Sequence, residues 1–467
     1  MTDPTAMLAW TQAILGVNPD VPKRPLNDYL QAIPRLNSLD SIPSGTPVLV
    51  RGDVDANPGK SVGEGDIRLR SMVETLKHGQ SKGWKQIVFG HRGRKPEETL
   101  EAVGKRLSEV LGCPVSLVTD WLDESTGTIR ESVTEKIKAA EPGSVLLLEN
   151  TRKYDIERVL WKAKPDDLPG LSDKLAKIAN EFATKVAKVY VNEALSAGSL
   201  DTSTVVVPAA MDRVAMGAYL AKEFDGPMLR CLAAELVVFS GLKTDKLDDL
   251  EAVIGRGSVK MVFVAGSLAL AVKKAEALLA GKDFCLGVAE DPAHADKPYY
   301  IAADRIEQAK RMLKEGGAKG IEFVLPVDFV LQDGKSAETL KPTDQQFDVG
   351  PRTSEHFASK VGEFIEKHQG KRAVAFYNGV FGMFEDPRFE DGTRKFIAQL
   401  KRMTEAGIEV YVGGGEGGEA LNRYGDESDC THCFTAGGTV LNALGSEPVP
   451  YLVALMMAAK GTGKGKA

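Results

Sequence analysis

The sequence predicts two α/β domains in series, each with a parallel sheet covered by helices. The first observation behind this prediction is length, because 467 residues exceed what one hydrophobic core usually organises. The second is an alternation of short apolar runs with segments of helical spacing, which is typical of parallel sheets with right-handed crossovers. The third is that this alternation restarts after residue 225.

The composition is that of a soluble globular protein and indicates neither a nucleic-acid nor a membrane partner. Apolar residues make up 43% of the chain, charged residues 27%, and the net charge is -6. The sequence shows no signal peptide and no stretch near the ~20 apolar residues of a membrane span. The five cysteines are odd in number and scattered, which favours a reducing compartment, so we expect a cytoplasmic protein.

The first domain is expected to span residues 46–215, after a proline-rich extension, residues 1–45, that is packed on it or loosely tethered. Apolar residues in its helices recur every three or four positions, as Val103, Leu107 and Leu111 do. The predicted strands are 46–50, 86–89, 115–118, 144–148 and 186–191, and the predicted helices are 67–82, 100–111, 133–140 and 171–183.

A connecting hinge helix is predicted at 216–224, before the second domain at 225–445. The predicted strands of the second domain are 234–239, 259–264, 299–301, 322–326, 372–376 and 408–412. Its predicted helices are 246–254, 268–279, 304–315, 354–366, 393–406 and 440–444. Residues 446–467 are expected to form a tail, which ends in a low-complexity stretch, 461–467, expected to be disordered.

Polar and mostly basic side chains follow three strands of the first domain, and one more opens its first helix. These candidates are Asp53, Asn57, Arg68, His91, Arg94 and Arg152. Ligands of open parallel sheets bind beyond the carboxyl ends of the strands, so we expect these side chains to converge. Arginine can hold a carboxylate or phosphate with two parallel hydrogen bonds, which predicts a small anionic substrate. Each loop taken alone is also explained as a solvated turn.

Glycine turns dominate the second domain. Gly413, Gly414 and Gly415 lie between a predicted strand and the helix that Glu416 begins, and Gly437 with Gly438 form a second turn. Consecutive glycines let the backbone approach a ligand, and a helix N-terminus favours phosphate. A plain strand-to-helix turn remains the alternative.

Further candidates in the second domain suit a nucleotide. Lys243 and Lys246 follow the strand 234–239 and could neutralise a polyphosphate, although an exposed turn explains them too. Asn378 and Glu385 flank apolar residues that could form a wall for a base, and Glu385 could accept hydrogen bonds from ribose hydroxyls. An anion site in one domain and a magnesium-nucleotide site in the other indicate phosphoryl transfer, which needs mainly positioning and charge neutralisation. Closure of two domains would also exclude water.

The chain resembles the phosphoglycerate kinase family over residues 46–445, with the family's motifs in order. In the first half these are Val-Leu-Val-Arg-x-Asp (48–53), Gly-His-x-Gly-Arg (90–94), Leu-Leu-Leu-Glu-Asn-x-Arg (146–152) and Tyr-Val-Asn-Glu-Ala (190–194). In the second half they are Gly-x-Lys (241–243), Leu-Pro-Val-Asp (325–328), Asp-Val-Gly-Pro-Arg-Thr (348–353), Asn-Gly-x-x-Gly-x-Phe-Glu (378–385) and Val-Gly-Gly-Gly-Glu (412–416).

The resemblance implies two Rossmann-like, three-layer α/β/α domains joined by a hinge helix, and an active phosphotransferase with a carboxyl group as acceptor. The first domain would bind 3-phosphoglycerate or 1,3-bisphosphoglycerate through Asp53, Asn57, Arg68, His91, Arg94 and Arg152. Arg68 and Lys243 would be catalytic, because they would contact the transferring phosphoryl group. The second domain would bind ATP or ADP through Lys243, Lys246, Asn378, Glu385, Gly413, Gly414, Gly415, Glu416, Gly437 and Gly438. Glu416 would be associated with Mg2+, and a monomer is expected.

The chain departs from the family's pattern at residues 197–202. The family usually carries a His-Arg-x-His run there, whereas this sequence has Ala-Gly-Ser-Leu-Asp-Thr. It is also open which residue replaces the asparagine of the family's Asp-Phe-Asn-x-Pro run, since this chain reads Asp-Val-Asp-Ala-Asn-Pro at 53–58. Removing one charge-assisted hydrogen bond to an anion costs ~1.5–3 kcal/mol of binding free energy. The alternatives are therefore a non-catalytic or regulatory relative and a kinase for a different carboxylate. A nicotinamide dehydrogenase is disfavoured by the lack of an early Gly-x-Gly-x-x-Gly.

Overall fold

The structure is a computed structural model that describes residues 1–242, 246–445 and 448–461. The chain divides into two compact units, of which the first contains Met1–Asp225 with Glu447–Ala467 and the second contains Gly226–Ser446. Each unit has a six-stranded sheet in which every paired strand runs parallel to its neighbour. The prediction of two parallel-sheet α/β domains is confirmed.

The strands of the first unit's sheet are Pro47–Arg51 (β1), Lys85–Phe89 (β2), Val115–Val118 (β3), Val145–Leu148 (β4), Val189–Asn192 (β5) and Arg213–Met216 (β6). Their order in the sheet is β3-β4-β2-β1-β5-β6. Strand β4 is buried at every position, as expected for a strand that helices cover on both faces. The helices of this unit are Pro4–Ile14, Leu26–Ala32, Ile67–Ser71, Val73–Ser81, Glu101–Leu111, Glu131–Ala139, Leu168–Lys185, Thr202–Val205, Ala218–Glu223 and Pro450–Ala459.

The sheet of the second unit has the order β9-β8-β7-β10-β11-β12. Its strands are Leu236–Gly241 (β7), Met261–Ala265 (β8), Glu322–Val324 (β9), Val374–Asn378 (β10), Glu409–Val412 (β11) and His432–Cys433 (β12). Its helices are Leu229–Cys231, Lys246–Gly255, Gly266–Leu279, Ala303–Ala318, Pro351–Lys367, Asp391–Glu405, Glu416–Tyr424 and Gly437–Leu444. Two helices pack on β8 through aromatic rings: the Phe263 ring lies 5.2 Å from that of Phe357 and 5.5 Å from that of Phe396.

Several predicted elements differ from the observed ones. The strand predicted at 299–301 does not form, because Ile301 donates its backbone N–H to the Ala289 carbonyl instead. The predicted helix 67–82 is divided at Met72 into two helices. The predicted hinge helix starts at residue 216, but Met216 pairs with Asn192 in the edge strand β6, so the observed helix begins at Ala218.

The second unit also contains a small antiparallel sheet that was not predicted from the sequence. Its strands are Phe329–Leu331, Ser336–Ala337 and Gln346–Val349. Strands of two to four residues are too short to show a hydrophobic period.

Both ends of the described chain pack on the first unit. The N-terminal helix, Pro4–Ile14, buries Met7 and Trp10, and the Trp10 indole donates to the backbone oxygen of Val205 at 2.7 Å. The residues before position 46 are thus packed on this unit rather than loosely tethered. The predicted tail contains a buried helix, Pro450–Ala459, which lies against β6. The part of the predicted disordered stretch after Gly461 lies outside the described residues.

Candidate functional site

Four of the candidates in the first unit lie together at the carboxyl edge of its sheet. Arg68 Nε is 3.9 Å from the Asp53 carboxylate, and His91 and Arg152 both contact a further carboxylate, that of Asp201. The convergence follows from the strand order, because β4, β2, β1 and β5 are neighbours and run in one direction. Asp53 itself accepts a hydrogen bond from Ser196 at 2.7 Å.

Asp201 is the centre of a largely buried group of side chains, here called the Asp201 cluster: Asp201, Arg51, His91, Arg152 and Trp161. The Asp201 carboxylate is 3.1 Å from His91 Nδ1, 3.1 Å from Arg152 Nη2 and 3.6 Å from Arg51 Nη2. The Trp161 indole donates to its other oxygen at 2.7 Å, and the Arg152 guanidinium lies 4.6 Å from the centre of the Trp161 ring. Asp201 is fully buried, so its charge is balanced by these neighbours rather than by water.

The protonation of this cluster follows from burial and charge. Burial acts to raise the pKa of Asp201, but the contacts with His91, Arg152 and Arg51 outweigh it and hold that pKa well below its usual value. Burial lowers the pKa of His91, and the two arginines lower it further against the opposing effect of Asp201. Since Arg51 Nη2 is 2.7 Å from His91 Nδ1, a neutral ring accepts from Arg51 at this atom, whereas a protonated ring would donate to Asp201.

A second carboxylate lies next to Arg68. Asp55 accepts a hydrogen bond from Arg68 Nη1 at 2.8 Å and one from the backbone N–H of Gly93 at 2.9 Å. Asn57 is exposed and accepts from Arg92 at 2.8 Å. Of Asp55 and Asn57, either of which could replace the family's asparagine, the structure therefore brings Asp55 to Arg68.

Arg94 differs from the other basic candidates of the first unit. Its side chain is exposed, and it makes no hydrogen bond or ion pair with the rest of the described chain. A cation in this state is available to an anion from solution.

In the second unit, a cavity of about 260 Å³ opens beside the end of strand β7. Two predicted carboxylates, Glu385 and Glu416, line it together with apolar side chains that include Leu242, Phe347 and Met383. This volume is close to the lower limit of ~300 Å³ for small-molecule pockets. Lys246 donates to the backbone oxygen of Ser240 at 2.7 Å, and Lys243 lies outside the described residues.

The two glycine turns meet each other and Asn378. A side chain on Gly414 would place its Cβ 2.1 Å from the backbone oxygen of Phe434, so only glycine fits there. Gly415 has φ +71° and precedes the helix Glu416–Tyr424, which has no side-chain cap in the described chain. Asn378 is buried, and its Oδ1 atom has no hydrogen-bond partner among the described residues. A buried acceptor without a partner beside an uncapped helix start is typical of a ligand site.

Comparison with known proteins assigns the chain to a family. The family model described as phosphoglycerate kinase matches residues 39–447. The chain belongs to the phosphoglycerate kinase family. The resemblance drawn from its motifs is therefore confirmed.

Members of the phosphoglycerate kinase family are similar to this chain along most of its length. The phosphoglycerate kinase of Clostridium beijerinckii is 29% identical over 425 residues, which is 88% of this chain and 96% of the relative. The cytosolic phosphoglycerate kinase of Triticum aestivum is 27% identical over 432 residues, covering 88% and 95%. The crystal structure of the Pyrococcus horikoshii phosphoglycerate kinase shares the fold with a TM-score of 0.70 at 24% identity, and the match covers 92% of this chain and all of that one.

Some residues of this site were not predicted from the sequence. Arg51, Asp55 and Trp161 were not among the candidates, and Asp201 was noted only as a departure from the family's pattern. Arg51 stands one position after a predicted strand, as the candidates do, so that signal was present in the sequence. Trp161 belongs to a segment without regular spacing, and nothing local indicates its contact with Asp201.

Proposed function

We propose that this chain is an active phosphoglycerate kinase. It reversibly transfers the phosphoryl group of the acyl phosphate of 1,3-bisphosphoglycerate to ADP, which yields 3-phosphoglycerate and ATP. Membership of the family supports the reaction. One observation supports nucleotide binding: two glycine turns meet beside Asn378, whose buried Oδ1 atom has no hydrogen-bond partner among the described residues.

The second unit is proposed to bind the nucleotide. The backbone N–H groups at the starts of the helices Glu416–Tyr424 and Gly437–Leu444 face an anion favourably, because a helix N-terminus carries partial positive charge. Glu385, on the cavity wall, suits the ribose hydroxyls. Lys246 would contact nucleotide phosphates, and Lys243, from the Gly-x-Lys motif, would contact the transferring group.

Magnesium is proposed to bind together with the nucleotide. Protein sites for Mg2+ commonly supply one or two carboxylates and leave the other positions to phosphate oxygens and water. The carboxylate of Glu416 is exposed, lines the cavity and lies at a helix start, so it fits this role. The bound ion would neutralise charge on the phosphate oxygens.

The first unit is proposed to bind the phosphoglycerate. Arg94 is exposed and without a partner in the described chain, and Arg68 is partly exposed at the same sheet edge. Both can donate to an anionic substrate, and Arg68 can stabilise charge on the transferring group. His91 and Arg152 have the right chemistry but already contact Asp201.

The test is a coupled assay with purified protein, MgATP and 3-phosphoglycerate that reads acyl-phosphate formation. We expect turnover near ordinary enzyme rates, ~10 per second or more. Lys243→Ala should reduce kcat by roughly a hundredfold or more, because it removes the cation proposed to contact the transferring group. Lys260→Ala, which removes an exposed lysine of the same unit, is the matched control. Unchanged kcat in Lys243→Ala would overturn the assignment.

The Asp201 cluster favours a second candidate, a relative that acts on a different carboxylate or has lost turnover. His91 and Arg152 are both predicted substrate ligands, and both are paired internally. MgADP binding, measured by calorimetry, without turnover of 3-phosphoglycerate would support this candidate. Turnover of another acid in a panel of small carboxylic acids would then indicate a different substrate, and no turnover of any acid would indicate lost activity.

We also propose a cytoplasmic monomer. Within the described residues, none of the helices is both long and apolar enough to cross a membrane. One similar protein, from Triticum aestivum, is named a cytosolic enzyme. Size-exclusion chromatography with light scattering tests the monomer directly, and a mass twice the 50.3 kDa of the chain would contradict it.

A further inference from the structure

The Asp201 carboxylate receives the contacts that an anionic ligand would otherwise receive. Nitrogen atoms from three separate places in the sequence, those of Arg51, His91 and Arg152, lie between 3.1 and 3.6 Å from it. The Trp161 indole adds a hydrogen bond at 2.7 Å. A dense group of cationic and N–H donors around one point is the arrangement by which proteins bind carboxylate or phosphate.

Helix capping does not explain the orientation of this side chain. Asp201 immediately precedes the helix Thr202–Val205, a position where aspartate commonly accepts from the first backbone N–H groups. In the described chain its carboxylate makes no such capping bond and is directed into the cluster instead. The Asp201 side chain is fully buried there, and Arg51 and His91 are almost fully buried.

We propose that Asp201 is a specificity-determining residue, an internal anion that occupies the basic cluster and selects against acceptor acids that carry a second anionic group. This inference rests on the second candidate function, a kinase for a different carboxylate, since it concerns the acid that the first unit binds. A phosphate group competes with Asp201 for His91 Nδ1 and Arg152 Nη2. Displacement would leave a buried carboxylate without its partners, which is costly.

The consequence is a ranking of substrates. An acid with a distal phosphate, such as 3-phosphoglycerate, competes with Asp201 for the cluster, whereas glycerate, the same acid without phosphate, does not. Removing the charge of Asp201 frees the donors for the phosphate. A hydrogen bond to a charged group contributes ~1.5–3 kcal/mol, so the affinity for 3-phosphoglycerate should rise roughly ten- to hundredfold.

The experiment compares Asp201→Asn with the wild-type chain by calorimetry, without nucleotide, using 3-phosphoglycerate and glycerate as ligands. We expect tighter binding of 3-phosphoglycerate by the variant and unchanged binding of glycerate. Asp173→Asn is the matched control, because it removes one carboxylate from an exposed position of the same unit. Equal 3-phosphoglycerate affinities of variant and wild type would overturn the proposal, and so would an equal gain for both acids.

A second variant keeps the test decisive if Asp201→Asn does not fold. Trp161→Phe keeps an aromatic ring beside Arg152 but removes the N–H donor to Asp201, and Trp161 is 38% exposed, so the fold should tolerate the change. It should raise the 3-phosphoglycerate affinity by a smaller factor, and no rise would count against the proposal. Calorimetry measures binding without turnover. A wild-type chain that binds MgADP but does not phosphorylate 3-phosphoglycerate would therefore contradict the proposed kinase activity without contradicting this inference.

Discussion

The Nη1 atom of Arg68 lies 2.8 Å from the Asp55 carboxylate, so the arginine with the proposed catalytic role already has an anionic partner. Both side chains are partly exposed, with 23% and 32% of their surface accessible. Burial acts against the charge on both. The charges of Asp53 and Asp55 nevertheless raise the pKa of Arg68, while the Gly93 N–H and the Arg68 charge lower that of Asp55. The ion pair therefore competes with a substrate for Arg68.

Asp55→Asn should release Arg68 and raise kcat/KM for 3-phosphoglycerate. Ion pairs this exposed contribute ~0.2–1 kcal/mol, so the gain should be at most about fivefold. The asparagine can still accept the Gly93 N–H. Steady-state kinetics measures the effect, and a fall in kcat/KM would show instead that Asp55 holds Arg68 in its productive position.

Asn378→Leu should change stability and nucleotide binding in opposite directions. The buried Oδ1 atom has no hydrogen-bond partner among the described residues, and such an atom costs ~1–3 kcal/mol of folding free energy. Leucine has nearly the same shape and removes that cost, so the free energy of unfolding should rise. MgADP binding should weaken by roughly tenfold or more, because the proposed ligand loses its polar partner.

Chemical denaturation and calorimetry on the same preparation test this prediction. Asn422→Leu, at an exposed position of the same unit, is the matched control and should leave nucleotide binding unchanged. A less stable Asn378→Leu variant with normal MgADP affinity would mean that Asn378 has a structural role only.

Gly414→Ala should destabilise the second unit, whereas Gly438→Ala should not. The added methyl group at Gly414 would lie 2.1 Å from the Phe434 backbone oxygen, so the two turns would have to separate, at a cost of about 1–3 kcal/mol. The same methyl group at Gly438 meets no atom within 4 Å. Gly438 lies inside the helix Gly437–Leu444, where alanine is the better helix former. Urea unfolding separates the two variants, and equal stabilities would contradict the observed contact.

The free energy of unfolding should fall as pH rises from 6.5 to 8. Burial raises the pKa of Glu193 to about 8 and that of Asp348 to about 7, and burial together with the charge of Asp201 raises that of Glu157 to about 7. In this window the unfolded chain has lost these protons, whereas the folded chain still binds part of them until the pH passes about 7 for Asp348 and Glu157 and about 8 for Glu193. A rise in pH through this window therefore favours unfolding. His91 acts in the opposite sense, since its folded pKa is lowered, but only below its ordinary value of 6.5.

Urea titrations at pH 6.5, 7.2 and 8.0 measure this slope, which is at most about 1.4 kcal/mol per pH unit for each fully protonated group. Glu193→Gln should reduce the slope, and Glu135→Gln, at an exposed position of the same unit, should leave it unchanged. A wild-type slope of zero would show that these carboxyl groups are ionised in the folded state.

The sheet strands could be predicted because covered parallel strands are nearly continuous apolar runs, as in Val145–Leu148. The edge strand Arg213–Met216 escaped prediction, since it is short and its first residue is exposed. The convergence of Asp53, Arg68, His91 and Arg152 followed from the rule that ligands bind at the carboxyl ends of parallel strands. The contacts of Asp201 could not be predicted in this way, because its partners come from distant parts of the chain and no local period in the sequence indicates such an arrangement.

The position of the helix Pro450–Ala459 has a consequence for synthesis on the ribosome. This helix completes the packing of the first unit, although nearly all of that unit is made before residue 226. The second unit, by contrast, is one uninterrupted segment of chain. The first unit can therefore complete its core only after residues 450–459 have been made, whereas all of the second unit has been made before them.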